Sequence, residues 1–163
     1  MTGADSEMNR DELVSYIPDT FKDKVQLLDT GRAEPFFLIK AENLLEFSRA
    51  IKDDPKLHMD WLSCVSGVDT GEHFEVVYSV ASVQTKIRFD YKVVLAYDGA
   101  EIESVQTVWP GANWHEREVW ELYGINIRNH GNLTRFLLPD DWDQGHPLRK
   151  DWDAPDFVRM PEK

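Results

Sequence analysis

The sequence predicts an α+β fold, in which an antiparallel sheet has helices packed on one face and is followed by an extended, irregular C-terminal tail. Three observations carry this prediction. Helical and strand patterns do not alternate strictly along the chain, residues 58–97 read as consecutive strands, and hydrophobic periodicity is lost after Gly124. Helical segments set apart from a run of strands are typical of an α+β layer rather than of a parallel α/β sheet.

The N-terminal part predicts one short helix and two strands. Residues 1–12 are polar and acidic, which is typical of a loose chain end. A short helix is expected where Asn9 supplies an N-cap and Pro18 supplies a stop. Residues 25–40 read as strand, turn and strand, with a glycine and a proline in the turn.

The middle of the chain predicts a second helix and then a strand meander. Residues 41–55 place three apolar side chains on one helical face: Leu44, Phe47 and Ile51. Residues 58–82 read as two strands around a turn at Thr70 and Gly71. Residues 85–97 alternate as a half-buried antiparallel strand does, with the apolar side formed by Ile87, Phe89, Tyr91 and Val93.

Composition narrows the classes of function. The chain has 163 residues, which predicts one domain, and its net charge of −12 argues against a nucleic-acid or anionic-membrane ligand. Its single cysteine, Cys64, cannot form an internal disulfide or hold an iron–sulfur cluster, and it is expected to be a core thiol. No signal-peptide pattern and no apolar run of about 20 residues is present, so a soluble, cytosolic-type chain is expected.

The segment NWHEREVWELYG, residues 113–124, concentrates the side chains that could perform chemistry. It predicts one helix over 114–123, with Asn113 as the N-cap, Glu116 in capping-box register and Gly124 as the stop. The expected apolar stripe of this helix consists of Val119, Trp120, Leu122 and Tyr123.

Charged side chains share or flank that stripe. Glu116 and His115 lie one turn before two of its members, whereas Arg117 is expected to reach Glu121 on the other side of the helix. A carboxylate on a buried aromatic face must be paired, or its protonation equilibrium shifts.

Three hypotheses follow for this segment. An acid/base site would combine Glu116 or Glu118 with His115. A metal site would combine His115 and Glu118 with His130 or His146. A structural helix would pair its charges with the tail or across an interface. The residue types favour the structural hypothesis, since no nucleophile motif and no glycine-rich phosphate loop accompanies the carboxylates.

The C-terminal third is also rich in tryptophan. Five of the six tryptophans follow residue 100: Trp109, Trp114, Trp120, Trp142 and Trp152. Because tryptophan is enriched at interaction hot spots, this region is the expected partner-binding part. We therefore predict a single domain over 1–138 and an extended partner-docking tail over 139–163.

Residues 104–152 resemble the 30 kDa subunit family of respiratory complex I, which in bacteria is the C subunit of NADH–quinone oxidoreductase. The residues that carry the resemblance are Ala112, Asn113, Trp114, Glu116, Arg117, Glu118, Leu122, Gly124, Ile125, His130, Leu133, Arg135, Leu137, Asp141, Trp142, Pro147, Leu148, Arg149, Lys150 and Asp151. A weaker similarity extends back to about Phe36. The sequence departs from the family pattern at Glu121, Ile127, Gly131 and Thr134.

The resemblance implies a cofactor-free subunit of the hydrophilic arm, near the quinone-reducing module, on the cytoplasmic side of the cell inner membrane. Such a subunit supports electron transfer from NADH to quinone coupled to proton translocation. NAD(H), FMN, iron–sulfur clusters and quinone would be held by partner subunits, so no catalytic, cofactor or metal residue is expected here. The implied partners are a 49 kDa-type subunit and iron–sulfur subunits.

The residues then expected to act in structure or at the interface are Trp114, Glu116, Arg117, Glu118, His130, Arg135, Trp142, Pro147, Leu148, Arg149, Lys150 and Asp151. Charge pairs among Glu116, Arg117, Glu118 and Arg135 would orient the tail, and residues 145–151 would cross to the partner. Alternatives remain: the equivalent subunit of an energy-converting hydrogenase or of a quinone reductase with another donor, a simple protein-binding module, or a free-standing metal-dependent enzyme.

Overall fold

The computed structural model describes residues 8–154, which form helices and strands of unequal length. Their bounds are α1 Arg10–Phe21, β1 Val25–Leu28, β2 Phe36–Ile39, α2 Leu44–Asp53, β3 Trp61–Asp69, β4 His73–Ala81, β5 Arg88–Ala96, β6 Glu101–Glu103, α3 Ala112–Tyr123 and β7 Asn126–Arg128. Short 3-10 turns at Lys22–Lys24 and Ala41–Asn43 lead into β1 and α2.

The main sheet has five strands in the order β1-β2-β5-β4-β3. Three of its pairings are antiparallel, but β2 and β5 run parallel, with Phe37 opposite Tyr91. The α+β class is therefore confirmed, whereas the expectation of a wholly antiparallel sheet fails at this one pairing. Strand periodicity shows which face of a strand is buried and does not show which strand lies beside it, so the sequence carried no signal for this pairing.

One face of the sheet carries the core, and the helices lie on that face as predicted. The buried strand residues alternate with more exposed ones, and the largest are Phe37, Phe74, Tyr78, Phe89 and Tyr91. Phe47 of α2 packs edge-on against Tyr91, with ring centroids 5.2 Å apart, and Ser48 of α2 is hydrogen-bonded to the Tyr91 hydroxyl at 2.8 Å. Burial of these aromatic side chains is the main stabilising term of the domain.

The first helix differs from the prediction at its end. Asn9 forms the predicted cap, since its side chain accepts from the Glu12 amide and the Glu12 carboxylate accepts from the Asn9 amide. The helix nevertheless continues through Pro18 to Phe21, and its first turn occupies residues 10–12, where a loose end was expected. Burial of Ile17 against the sheet holds the helix together across a residue that lacks an amide hydrogen.

Two short parallel strands were missed by the sequence analysis. β6 and β7 pair over three residues each, with Ile102 opposite Ile127. Both isoleucines are buried, but three residues are too few to show a period of two. The pair fixes the two chain segments that enter and leave α3, and so it sets the position of that helix.

Close packing between α3 and β3 depends on Gly67. A Cβ atom at this position would lie 2.6 Å from Cδ2 of Tyr123. Gly67→Ala should therefore lower the free energy of unfolding by about 1–3 kcal/mol through overpacking, as measured by urea denaturation. Gly111→Ala is the matched control, because a Cβ there meets nothing within 4 Å, and it should change stability by less than about 0.5 kcal/mol. Equal effects of the two substitutions would contradict this packing.

Candidate functional site

The predicted helix is present as α3, although it begins earlier and is capped differently from the prediction. It starts at Ala112 after Gly111, which provides no side-chain cap. The predicted capping box of Asn113 and Glu116 is wrong, since Asn113 instead donates to the Gln106 side chain at 3.2 Å. The helix ends at Gly124, whose left-handed backbone (φ 74°) confirms the predicted stop.

Charged residues dominate the buried face of α3. The buried residues are Ala112, Glu116, Arg117, Val119 and Glu121, while Trp120, Leu122 and Tyr123 of the predicted apolar stripe are only half-buried. The sheet covers one side of the helix, and the segment that follows β7 covers another. The predicted apolar stripe therefore accounts for only one of the two covered sides. Buried charges need specific partners, and each of the three has them.

Arg117 holds the segment after β7 through its main-chain carbonyls. Its guanidinium donates to the carbonyl of Thr134 at 2.7 Å and to that of Arg135 at 3.2 Å. The same group lies 4.7 Å from the ring centroids of both Trp114 and Phe136, which themselves pack edge-on with centroids 5.2 Å apart, so it makes a cation–π contact with each ring. The expected i, i+4 pairing with the glutamate one turn later is wrong: no ion pair joins the two side chains within residues 8–154.

Glu121 holds the next residues of the same segment through their amides. Its carboxylate accepts from the backbone N–H groups of Phe136, Leu137 and Leu138 at 3.2, 3.1 and 2.7 Å. Arg117 and Glu121 together form what we call the α3 clamp, in which the cation binds carbonyls and the anion binds amides of residues 134–138. Charge-assisted hydrogen bonds of this kind are the stronger ones in proteins.

Glu116 lies on the opposite side of α3 and closes the loop that precedes the helix. Its carboxylate accepts from the Ser104 hydroxyl and from the Val105 amide, both at 2.6 Å. Burial raises the pKa of Glu116 to about 7, although these two hydrogen bonds oppose the rise. The carboxyl group is therefore partly protonated near neutral pH.

His130 belongs with Glu116. Its buried ring places Nε2 at 3.8 Å from the Glu116 carboxylate and 3.2 Å from the Asn113 carbonyl, while Nδ1 accepts from the Asn132 amide at 3.1 Å. Burial lowers the pKa of His130, so the ring is neutral at pH 7, with its proton on Nε2 directed at the carbonyl.

None of the predicted charge pairs among Glu116, Arg117, Glu118 and Arg135 is present within residues 8–154. Glu118 and Arg135 are exposed, and neither side chain forms an ion pair in the described part of the chain. Arg135 contributes its carbonyl to the α3 clamp and not its guanidinium. Of the four charges expected to orient the tail, Glu116 and Arg117 are the buried ones, and both act mainly on main-chain groups and a hydroxyl.

The ligands that the metal-site hypothesis requires are not brought together in the described part of the chain. Within residues 8–154, no group of three or more His, Cys, Asp or Glu side chains is placed to hold a metal ion. His130 faces Glu116, away from the exposed Glu118 that the hypothesis required. Cys64, expected in the core, is half-buried, with its Sγ 3.2 Å from the Ser66 hydroxyl.

The segment 146–151, which we call the C-terminal latch, lies against the domain itself. His146 donates through Nδ1 to the Glu121 carbonyl at 2.9 Å, and the Leu148 amide donates to the Leu122 carbonyl at 3.1 Å. The Arg149 guanidinium covers the stacked rings of Phe74 and Tyr97. It also pairs with Asp151 at 3.1 Å. The expected crossing of residues 145–151 to a partner stays a prediction.

Asp69, at the end of β3, anchors the latch and was not singled out by the sequence analysis. Its carboxylate accepts from the amides of Lys150 at 2.8 Å and Gly71 at 2.7 Å and from the Tyr97 hydroxyl at 2.8 Å. Burial alone would raise the pKa of Asp69, but these hydrogen bonds lower it. The Asp-Thr-Gly sequence could have indicated this role, because an aspartate that begins a turn often accepts hydrogen bonds from the turn amides.

An apolar strip runs along the outside of α3. It consists of side chains whose exposed fractions are 57% for Trp114, 37% for Phe136, 52% for Leu137 and 49% for Leu148. The α3 clamp and the latch hold the main chain beneath these side chains in place. Tryptophan is enriched at protein-binding hot spots, and exposed apolar patches are typical of interaction surfaces. No helix within residues 8–154 has the length and apolarity needed to cross a membrane.

Fold and site together define an α+β protein in which a charged helix fixes the course of the segment that follows β7. The family model of the respiratory-chain NADH dehydrogenase 30 kDa subunit matches residues 37–158. The chain therefore belongs to this family, as its residue pattern indicated.

Curated relatives agree with the family match. The C subunit of the NADH-quinone oxidoreductase of Chloroherpeton thalassium is 37% identical over 83% of the chain and 58% of the relative's length. The corresponding C subunits of Chlorobium phaeobacteroides and Citrifermentans bemidjiense are 36% and 38% identical, over 84% and 82% of their own lengths. The chain thus spans somewhat more than half of some relatives and most of others.

Two solved structures share the fold. The trypsin-resistant fragment (1-134) of Nqo5 superposes with a TM-score of 0.65 at 23% identity, over 74% of this chain and 98% of the fragment. A chain of the membrane-bound sulfane sulfur reductase, an archaeal respiratory membrane complex, superposes with a TM-score of 0.74 at 21% identity, over 94% of this chain and 95% of the other. They confirm the α+β architecture.

The α3 clamp can be tested at Glu121. Glu121→Ala removes the acceptor of three amides, which should speed hydrogen exchange at Phe136, Leu137 and Leu138 by about 30-fold, equivalent to about 2 kcal/mol. Amide exchange followed by NMR measures this directly. Glu118→Ala, on the exposed side of the same helix, is the control and should leave those three rates unchanged. Unaltered exchange in Glu121→Ala would exclude the clamp.

The buried carboxyl of Glu116 should make stability depend on pH. Its pKa is about 7 when folded and about 4.5 in the unfolded chain, so the folded state binds the proton more tightly between these values. The stability that the bound proton contributes is fully present below pH 4.5 and is lost as the pH rises through 7. From pH 5 to pH 8, wild type should lose about 3 kcal/mol more unfolding free energy than Glu116→Gln, as measured by urea denaturation. Glu118→Gln should follow wild type; coincident profiles for wild type and Glu116→Gln would refute the assignment.

Proposed function

We propose that the chain is a cofactor-free structural subunit of the hydrophilic, peripheral arm of a complex I-like NADH–quinone oxidoreductase. In this role it lies near the quinone-reducing module, on the cytoplasmic side of the inner membrane. Its partners are a 49 kDa-type subunit and iron–sulfur subunits. The family match and the names of the curated relatives support this proposal.

The observation that carries the proposal is the α3 clamp with the apolar strip above it. Arg117 and Glu121 are buried charges that act on the main chain of residues 134–138, and the segment they hold presents Phe136 and Leu137 to solvent. Holding exposed apolar side chains rigidly lowers the entropy cost of covering them with another protein. This arrangement is therefore suited to contact with a partner protein.

The contribution of this chain to the reaction is positional. NAD(H), FMN, iron–sulfur clusters and quinone supply the electron-transfer chemistry, and the proposal assigns them to partner subunits. What the chain does is fix its neighbours relative to one another through a preorganised surface.

A second candidate is the corresponding subunit of a related complex with a different redox reaction. The chain of the sulfane sulfur reductase complex has the same fold over 94% of this chain, so the fold also occurs in a respiratory membrane complex named for the reduction of sulfane sulfur. The equivalent subunit of an energy-converting hydrogenase or other quinone reductase is therefore the alternative. Affinity purification of the tagged chain from its own host separates the cases: flavoprotein NADH-input subunits would indicate NADH, and hydrogenase or other input subunits would indicate another donor. Recovery without any iron–sulfur subunit would refute both.

Arg117→Ala should reduce assembly and leave the chemistry of assembled complexes intact. It removes two hydrogen bonds and a cation that contacts two aromatic rings, so the strip loses its fixed geometry. We expect about tenfold lower recovery of partner subunits with the tagged chain, measured by quantitative mass spectrometry, and unchanged turnover per assembled complex.

Arg88→Ala is the control for this experiment, because Arg88 is an exposed residue of β5, and it should assemble like wild type. Normal assembly of Arg117→Ala together with lost turnover would show that the charged helix acts in catalysis instead.

A further inference from the structure

Two titratable side chains lie buried beside each other at the start of α3. The His130 side chain is 0% exposed and the Glu116 side chain is 1% exposed, and the ring Nε2 lies 3.8 Å from the carboxylate. No lysine or arginine forms an ion pair with Glu116 within residues 8–154, so the imidazole ring is the basic group that stands next to this carboxylate.

The other titratable groups around the pair do not neutralise it. Burial raises the pKa of the Tyr78 hydroxyl on β4 and of the Tyr91 hydroxyl on β5, so both are neutral near pH 7. Burial and, less strongly, the negative charge of Glu103 on β6 raise the pKa of the carboxyl group. Burial and, less strongly, the positive charge of Arg117 on α3 lower the pKa of the imidazole ring.

The hydrogen bonds of the ring determine where its own proton lies. Nδ1 of His130 accepts from the Asn132 amide at 3.1 Å, so the proton of the neutral ring is on Nε2. Two acceptors face Nε2: the Asn113 carbonyl at 3.2 Å and the Glu116 carboxylate at 3.8 Å. Because an N–H···O hydrogen bond spans about 2.9 Å, a ring movement of about 1 Å exchanges the first acceptor for the second.

The ring is connected to the α3 clamp through the turn that follows it. The amide of Asn132 binds the ring, and its carbonyl accepts from the Thr134 amide at 3.0 Å. The Thr134 carbonyl in turn accepts from Arg117 at 2.7 Å. A movement of the ring is therefore transmitted through three consecutive hydrogen bonds to the first residue of the clamp.

We propose that Glu116 and His130 form a buried proton switch at the start of α3. When the carboxyl group releases its proton to solvent, the Nε2–H group turns from the Asn113 carbonyl to the new carboxylate, and residues 130–134 move with the ring. The ring itself stays neutral, because a second proton on Nδ1 would break its bond with the Asn132 amide. Proton binding within the chain thereby sets the geometry of the α3 clamp.

The switch operates near neutral pH, since the pKa of Glu116 is about 7. Below that pH the carboxyl group is neutral and is a weak acceptor, so the ring keeps its bond to the carbonyl. Above it, a buried carboxylate has room for a third donor beside the Ser104 hydroxyl and the Val105 amide, and a charged acceptor forms the stronger hydrogen bond. This inference goes beyond the proposed function, because it concerns a proton site within the chain and does not depend on which complex the chain joins.

The first test is an NMR titration of the full-length wild-type chain from about pH 5.5 to about pH 9. Three sets of signals are followed: the ¹³C carboxyl shift of Glu116, the ¹⁵N shifts of both ring nitrogens of His130, and the amide shifts of Asn132 and Thr134. The proposal expects all three sets to change with one midpoint, near the pKa of about 7, while Nδ1 remains unprotonated. Separate midpoints, or formation of an imidazolium as Glu116 ionises, would overturn the switch.

Two glutamate variants test whether the carboxyl group drives the movement. Glu116→Gln has nearly the same shape and cannot ionise, so the change in the Asn132 and Thr134 amide shifts near pH 7 should disappear. Glu118→Gln is the matched control on the exposed side of the same helix, and it should retain the change. Amide shifts that still titrate near pH 7 in Glu116→Gln would contradict the proposal.

Two histidine variants test whether the ring responds to the carboxylate. His130→Phe keeps a buried ring but removes the N–H donor, so it should weaken the acidity of Glu116 about tenfold and raise its midpoint by about one pH unit. His115→Phe is the control, because no hydrogen bond or ion pair joins His115 to Glu116 in the described part of the chain, and it should leave the midpoint unchanged. A Glu116 midpoint that stays or falls in His130→Phe would overturn the switch.

Discussion

The structure depends on one interaction more than on any other: two buried side chains of α3 bind the main chain of residues 134–138. A segment without regular secondary structure must satisfy its own amides and carbonyls, and Glu121 and Arg117 provide the acceptors and donors that a neighbouring strand would otherwise provide. Taking two charges out of water is costly, and the hydrogen bonds that each charge makes to the main chain offset that cost. The chain after β7 thereby keeps a fixed course without a core of its own.

The same principle extends to both ends of this region. Glu116 closes the loop before α3 through the Ser104 hydroxyl and the Val105 amide, and Asp69 anchors the latch through the Lys150 amide. In each case a carboxylate on a regular element serves as the acceptor for an irregular one. Apolar side chains are then free to face outward, which explains how one small domain can present an apolar strip.

Much of the fold followed from hydrophobic periodicity, and the limits of that signal explain the errors. The strand over Arg88–Ala96 and the face of α2 were predictable because long periodic segments reveal their buried side. The parallel β2–β5 pairing, the continuation of α1 through Pro18, and the short β6–β7 pair were not predictable, since each depends on neighbours distant in sequence. In the site, the helix and its stop were predictable, whereas the groups that its charged side chains bind were not.

By itself, the sequence determined the α+β class, the position of the charged helix and the family to which the chain belongs, because these rest on local periodicity and on a dense residue pattern. Only the tertiary structure decided what the charges do. Main-chain amides and carbonyls are the same at every residue, so no pattern of side chains reveals that Glu121 binds three amides or that Arg117 binds two carbonyls. Their pairing depends on where the backbone returns in space.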